Sequence, residues 1–148
     1  MLELKAPMSG KSIPMAQVPD ETFATDVMGK GVAVDPADGL VVAPCDGVVT
    51  AIATTLHAVC LAAAGDVEIL LHIGIDTVDL KGKGFTCYVQ KGQQVKQGEK
   101  LMKLDLKRCR KANLSPISPM VVIDPENYEL EYTCADCTAG KTTLITVR

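Results

Sequence analysis

Aromatic residues are the first scarcity in this 148-residue chain: there is no tryptophan, and only three tyrosines and two phenylalanines. With 47% of residues apolar but 3% aromatic, the interior has to be built from Val, Ile, Leu, Ala and Met. Excess positive charge is also missing. The net charge of −3 argues against a nucleic-acid binder, whose footprint is usually basic, and suits docking to a basic protein. No apolar run reaches the ~18 residues that suggest a membrane span. No charged n-region leads into an apolar h-region, so no signal peptide is read. The six cysteines are therefore read as reduced, cytosolic and mostly core-filling, Cys60 and Cys87 among them. Cys109, in the basic run Lys107-Arg108-Cys109-Arg110-Lys111, is the candidate for an exposed thiol. A chain of about 150 residues buries roughly 68–70% of its unfolded surface, so one domain over residues 1–148 needs neither metal nor disulfide to fold.

Long helical periodicity is absent too. Short runs of β-branched and aliphatic residues recur instead, separated by Gly, Pro, Asp and Asn. Strands are expected at Leu2–Ala6, Val32–Val34, Leu40–Ala43, Val48–Ala53, Phe85–Val89, Leu101–Leu104, Met120–Ile123, Tyr128–Thr133 and Thr143–Val147. Ser12–Val18 contains Pro14 and reads as an irregular or edge strand. Gly29-Lys30-Gly31 reads as a break, and Pro119 as a residue that precedes a strand. Two short helical pieces are expected: a turn at Pro19–Ala24, and Asp105–Asn113 with Asp105 as cap. The fold class is all-β, an antiparallel sandwich or barrel of many short strands. Two internal echoes suggest a pair of similar β modules. Ala6-Pro7-Met8-Ser9-Gly10 parallels Ala43-Pro44-Cys45-Asp46-Gly47, and the segment around Gly98 parallels the one around Gly140.

Histidine is nearly missing, and the two that occur are informative. His72 lies in Glu68-Ile69-Leu70-Leu71-His72-Ile73-Gly74, and His57 lies in the strand-like Thr55-Leu56-His57-Ala58-Val59. Gly65-Asp66 between them marks a hairpin that sets the two runs side by side. An imidazole with an ordinary pKa of about 6.5 is largely neutral and nucleophilic near neutral pH. One ring can take a phosphoryl group while its neighbour donates to the phosphoryl oxygens, since this chemistry needs mainly positioning and charge stabilisation. The missing Cβ of Gly74 would let a ligand approach, backbone N–H groups near Gly74 would donate to the phosphoryl oxygens, and Thr55, two residues before His57 on the same strand face, would fix the tautomer of that ring.

Other readings of the same residues stay open. His57, His72 and Asp76 form a possible three-ligand set for a zinc-dependent hydrolase, though no HExxH motif accompanies them. Val95, Gly98 and Leu101 ahead of Met102-Lys103-Leu104 faintly resemble a biotinyl or lipoyl swinging-arm carrier, but Lys103 reads as mid-strand, not hairpin tip. Cys134-Ala135-Asp136-Cys137 lacks the second pair a zinc site wants and reads as a turn. Gly140-Lys141-Thr142 and Gly10-Lys11-Ser12 fail as P-loops, because Ala135 and Lys5 stand where the first glycine belongs.

The run from His72 through Asp76-Thr77-Val78-Asp79-Leu80-Lys81-Gly82-Lys83-Gly84 to Phe85 resembles the signature of the glucose-family IIA proteins of the bacterial sugar phosphotransferase system. Val18-Pro19-Asp20, Met28–Ala33, Val42–Gly47 and His57-Ala58 extend the likeness over nearly the whole chain. That resemblance implies an antiparallel β-sandwich with a shallow depression, and a cytoplasmic phosphotransferase component that is free or tethered to a membrane permease. It implies that His72 is phosphorylated on Nε2, that His57 supports the phosphoryl group, and that Thr55 and Gly74 hydrogen-bond around the pair. The implied partners are the phosphocarrier HPr as donor and a IIB domain cysteine as acceptor, with the IIC membrane component involved only indirectly. Neither nucleic acid nor direct membrane insertion is implied. No cofactor is implied beyond the covalent phosphoryl group, and adventitious zinc at His57 and His72 is compatible with the pair. The implied docking face is an apolar ring including Phe23, Val27 and Val78, with Asp20, Asp76 and Asp79 as acidic positions. Ala53, Cys60 and Leu70 stand where some members carry phenylalanine.

Overall fold

A computed structural model describes all 148 residues. In chain order the strands are β1 (Leu2–Lys5), β2 (Gly10–Pro14), β3 (Lys30–Pro36), β4 (Leu40–Val42), β5 (Gly47–Ile52), β6 (Ala58–Ala62) and β7 (Glu68–His72). They continue with β8 (Phe85–Cys87), β9 (Gln94–Val95), β10 (Lys100–Leu104), β11 (Ser118–Val122), β12 (Leu130–Tyr132), β13 (Asp136–Cys137) and β14 (Thr143–Val147). Two short helices interrupt them, α1 (Glu21–Ala24) and α2 (Leu106–Lys111). Both begin at an aspartate: Asp20 accepts from the Thr22 N–H and Asp105 from the Arg108 N–H, satisfying amides that have no partner within the helix. Every strand pairing is antiparallel.

Eight strands form the largest sheet, in the order β13-β2-β3-β11-β7-β6-β5-β9. Two three-stranded sheets, β1-β14-β12 and β4-β10-β8, cover it. The arrangement is a β-sandwich, and no closed barrel forms. The internal echoes correspond to real equivalence. β1 pairs with β14 and β2 with β13, just as β4 pairs with β10 and β5 with β9. Between the two modules, Lys5 N–H donates to Pro44 C=O and Val42 N–H to Pro7 C=O, both at 2.8 Å. Gly140 N–H donates to Ala6 C=O and Gly98 N–H to Ala43 C=O, again at 2.8 Å each. The chain therefore repeats one contact about an approximate twofold axis.

The large sheet buries both faces near its middle, and alternation decides which residue goes where. On β6 and β7, Val59, Leu61, Ile69 and Leu71 point into the main core with Leu4, Met102, Met120 and Leu144. Leu70 turns the other way into a smaller cluster with Met15, Val18, Phe23, Ile75 and Val121, which Ala58 and Cys60 flank. Pairing of Ala58 with His72 and Cys60 with Leu70 places His72 at the edge of that second face.

Three expectations need correction. Gly31 does not break the chain. It lies inside β3, and a Cβ there would sit 1.9 Å from the Met120 carbonyl, so glycine permits close backbone approach to β11. Pro119 does not precede a strand but lies within β11, whose ladder with β7 starts one residue later at Met120. Cys109 is fully buried, its thiol donating to Leu114 C=O, because α2 lays its apolar side on the core. The exposed thiol is Cys134. All six cysteines are unpaired.

Leu71 is 1% exposed and lies between β6 and β11. Leu71→Ala is expected to destabilise the fold by about 2–5 kcal/mol through lost burial and a residual cavity, read as a lowered midpoint in urea unfolding.

Candidate active site

Strand β7 ends at His72, and the chain then turns. Asp76 takes a left-handed conformation and begins a 3-10 turn over Thr77–Leu80. The turn is tied down from several sides. Ile73 N–H donates to His57 C=O at 2.7 Å and Ile75 N–H to Ser115 C=O at 2.9 Å. Thr77, with no exposed surface, donates its hydroxyl to Ile73 C=O at 2.5 Å.

His57 is not in a strand. β5 ends at Ile52, and the chain reverses through residues 53–57 before β6 begins at Ala58. Ala53 N–H bonds to Ala58 C=O, Leu56 N–H returns to Ala53 C=O, and Leu56 is left-handed with φ of 62°. The local sequence is strand-like, but the closing bonds of the hairpin override that preference. Because the turn ends directly opposite β7, His57 still reaches His72. Their ring centroids are 5.1 Å apart and the planes cross at 71°, an edge-to-face arrangement.

Each imidazole has one nitrogen already engaged. His72 Nδ1 lies 2.7 Å from Gly74 C=O. A carbonyl can only accept, so Nδ1 carries the proton and Nε2 keeps the lone pair in the neutral ring. His57 Nδ1 lies 2.6 Å from the Thr55 hydroxyl, which can donate or accept. Phe23 packs on His72 with centroids 4.9 Å apart. Burial pushes the His72 pKa below the ordinary imidazole value. The Gly74 carbonyl opposes that shift, His57 adds to it, and Asp20 and Asp76 also oppose it. Burial lowers His57 as well. The site thus presents two neutral, crossed imidazoles, one with a fixed free nitrogen.

The structure brings Thr55, His57, His72 and Gly74 together, and Gly74 hydrogen-bonds to His72 through its carbonyl, but its missing Cβ does not open a path for a ligand. Its N–H donates to Ser118 Oγ at 3.0 Å, so it is not free for an incoming anion. A Cβ would lie 2.4 Å from Thr77 Cγ2, and φ is +78°. Glycine is required there by packing and backbone conformation, not by ligand approach. Phe23 is only 3% exposed and supports His72 from beneath instead of joining an exposed ring. Val27 and Val78 are exposed, at 72% and 45%. Asp76 and Asp79 are exposed as well, while Asp20 is half-buried and occupied in capping α1.

Ser118, Ser115 and Thr77 were not singled out in the sequence. A serine opening the apolar run Ser118-Pro119-Met120-Val121-Val122 was the available signal, since a polar group buried there needs a partner. The swinging-arm alternative fits poorly: Lys103 lies within β10, paired across to Leu40 and Thr86, and not on a tip. The zinc set does not assemble either. No three His, Cys, Asp or Glu side chains gather where they could hold a metal, so Asp76 does not complete the histidine pair.

Comparison with known proteins gives concordant likenesses. Residues 2–128 match the model of a family described as phosphoenolpyruvate-dependent sugar phosphotransferase system, EIIA 1. The chain is 41% identical over 144 residues to the PTS system glucose-specific EIIA component of Oceanobacillus iheyensis, covering 96% of this chain and 87% of that protein. It is 40% identical over 148 residues to the PTS system mannose-specific EIIBCA component of Corynebacterium glutamicum, covering 99% of this chain but 22% of that larger protein. Among solved structures, the glucose permease IIA from Mycoplasma capricolum superposes with a TM-score of 0.92 at 34% identity, covering 97% of this chain and 94% of that one.

The imidazole shifts set a pH dependence. Folded-state values lie below the ordinary ~6.5, so between the two the unfolded chain binds more protons. Stability is then fully present above about pH 6.5 and is lost as pH falls through the lowered folded values. Thermal melts are expected to shift downward between about pH 7 and pH 5, and the His57→Gln/His72→Gln double variant to show a flatter dependence.

Proposed function

The chain belongs to the EIIA 1 family of the phosphoenolpyruvate-dependent sugar phosphotransferase system, and on that premise we propose that it carries a phosphoryl group on Nε2 of His72. The group comes from phosphorylated HPr and leaves to the cysteine thiolate of a IIB domain, which then phosphorylates sugar entering through the IIC permease. One domain spanning residues 1–148 does this work, free in the cytoplasm or tethered to a permease. No helix in the chain is long and apolar enough to cross a membrane.

The observation that carries this reading is the bond from His72 Nδ1–H to the Gly74 carbonyl. It leaves Nε2 as the lone-pair nitrogen on the far side of the ring, and burial keeps the ring neutral. Nε2 attacks phosphorus in line. The bond from phosphorus to the donor breaks, and its electron pair stays with the donor. After transfer, Nδ1–H still donates to Gly74, so the phosphorylated ring stays oriented. Thr55 donates its hydroxyl proton to His57 Nδ1, which leaves Nε2–H of His57 to donate to the phosphoryl oxygens. On delivery the thiolate attacks phosphorus, the N–P bond breaks, and His72 Nε2 regains its lone pair. His57 then steadies the charge that builds on the equatorial oxygens.

As the docking face we take Val27 and Val78, both exposed apolar residues, with the exposed Asp76 and Asp79 as its acidic positions. Such charge accelerates encounter with basic partners more than it tightens the complex. Cys60 and Leu70 line the same sheet face as His72.

Labelled phosphate transfer tests the assignment. His72→Ala should take up no phosphate from phosphorylated HPr. His57→Gln should still accept it and fail to deliver it to IIB. Normal labelling of His72→Ala would overturn the carrier reading.

A further inference from the structure

Gly74 supplies the carbonyl that fixes the protonation of His72, yet glycine is the residue least able to hold a carbonyl in place unaided. Its φ of +78° is one of several basins open to it. The peptides on either side are therefore held from outside. Ile73 C=O accepts from Thr77 and Ile75 N–H donates to Ser115 C=O. Gly74 N–H itself donates to the side chain of Ser118, across from β11.

Ser118 is built for that single purpose. It is 2% exposed, and the buried polar side chains are only Ser12, Thr77 and Ser118. Its hydroxyl proton goes to Pro116 C=O at 2.9 Å, which leaves an oxygen lone pair for Gly74. The sequence of bonds runs from Pro116 C=O through Ser118 to Gly74 N–H, and resumes from Gly74 C=O to His72 Nδ1–H. A hydroxyl with its proton committed elsewhere can only accept, so it favours one orientation of the Gly74 backbone.

We propose that Ser118 is a positioning residue for His72: by holding the Gly74 backbone it keeps the imidazole in the Nδ1–H form, with Nε2 free. The consequence for phosphoryl transfer rests on the carrier function proposed above; the tautomer itself does not. Without the Ser118 oxygen, a buried Gly74 N–H lacks its acceptor. The Ile73–Gly74 peptide then turns toward another acceptor, the Gly74 torsions change with it, and the Gly74 carbonyl, left with only the Ile75 N–H bond to Ser115 C=O to hold its own peptide, shifts away from His72 Nδ1.

Nitrogen-15 spectra of histidine-labelled protein report which ring nitrogen bears the proton. In the native chain His72 should show the Nδ1–H form. In Ser118→Ala that form should give way to a mixture, and the titration midpoint of His72 should move down, because a bond favouring the cation is gone. Phosphoryl uptake should fall by about 10- to 100-fold, in line with a displaced reacting group. Ser118→Thr, which keeps the hydroxyl, should restore all three. An unchanged tautomer and midpoint in Ser118→Ala overturn the proposal, as does an Nε2–H ring in the native chain. Should Ser118→Ala fail to fold, amide exchange in the native protein decides the matter. Protection of Gly74 N–H equal to the β7 ladder supports the proposal, and exchange as fast as an exposed loop amide overturns it. Neither spectroscopic reading needs a phosphoryl donor. A native chain that takes no phosphate therefore sinks the carrier function and leaves this test standing.

Discussion

One hydrogen bond, from His72 Nδ1 to the carbonyl of Gly74, determines what the site can do. It converts a ring with two interchangeable nitrogens into one with a committed donor and a committed nucleophile. Everything nearby can be understood as keeping that carbonyl where it is. Thr77 fills the space a Cβ would need, Ser115 and Ser118 hold the flanking amides, and His57 C=O ties the start of the turn. Burial alone would only make the ring neutral. Burial with this bond makes it neutral in one chosen form.

The sheet supplies the second constraint. Alternation on β6 and β7 sends Val59, Leu61, Ile69 and Leu71 into the main core, while Ala58, Cys60, Leu70 and His72 face a smaller cluster roofed by α1. His72 is thus the point where a rigid central strand meets the surface. His57 approaches it from a hairpin turn with left-handed Leu56. A ring anchored on packed strands and a ring carried by a turn differ in stiffness, and the two parts assigned to them differ likewise. The strand-borne ring must offer a nitrogen in a fixed place. In the proposed carrier, the turn-borne ring would follow the phosphoryl oxygens as they arrive and depart.

Much of the strand pattern was readable because turn residues punctuate it. The hairpin between the histidines followed from Gly65-Asp66, and the Thr55–His57 proximity from a two-residue spacing. The reading failed where tertiary contacts outweighed local preference. His57 sits in a turn because β5 stops early, Gly31 lies in a strand because β11 crowds it, and Pro119 belongs to a central strand. Gly74 was recognised as special for the wrong reason: the sequence shows a missing Cβ but not Thr77 occupying its place. Ser118 showed only as a serine opening an apolar run, with nothing to say which group it would hold. Its importance lies in a partner 44 residues away, and no local pattern encodes that distance. Phe23 looked like a surface aromatic and is instead packed beneath the site.

The approximate twofold arrangement of the two modules has a temporal consequence. Neither module is contiguous: β1 is completed only by β14, and β4 by β10. β1 must wait for β14 before its backbone groups find their partners. Closure across nearly the full chain makes the mean sequence separation of native pairs large, a property that slows folding. Until β14 is in place, the unpaired edge of β1 stands open to foreign strands.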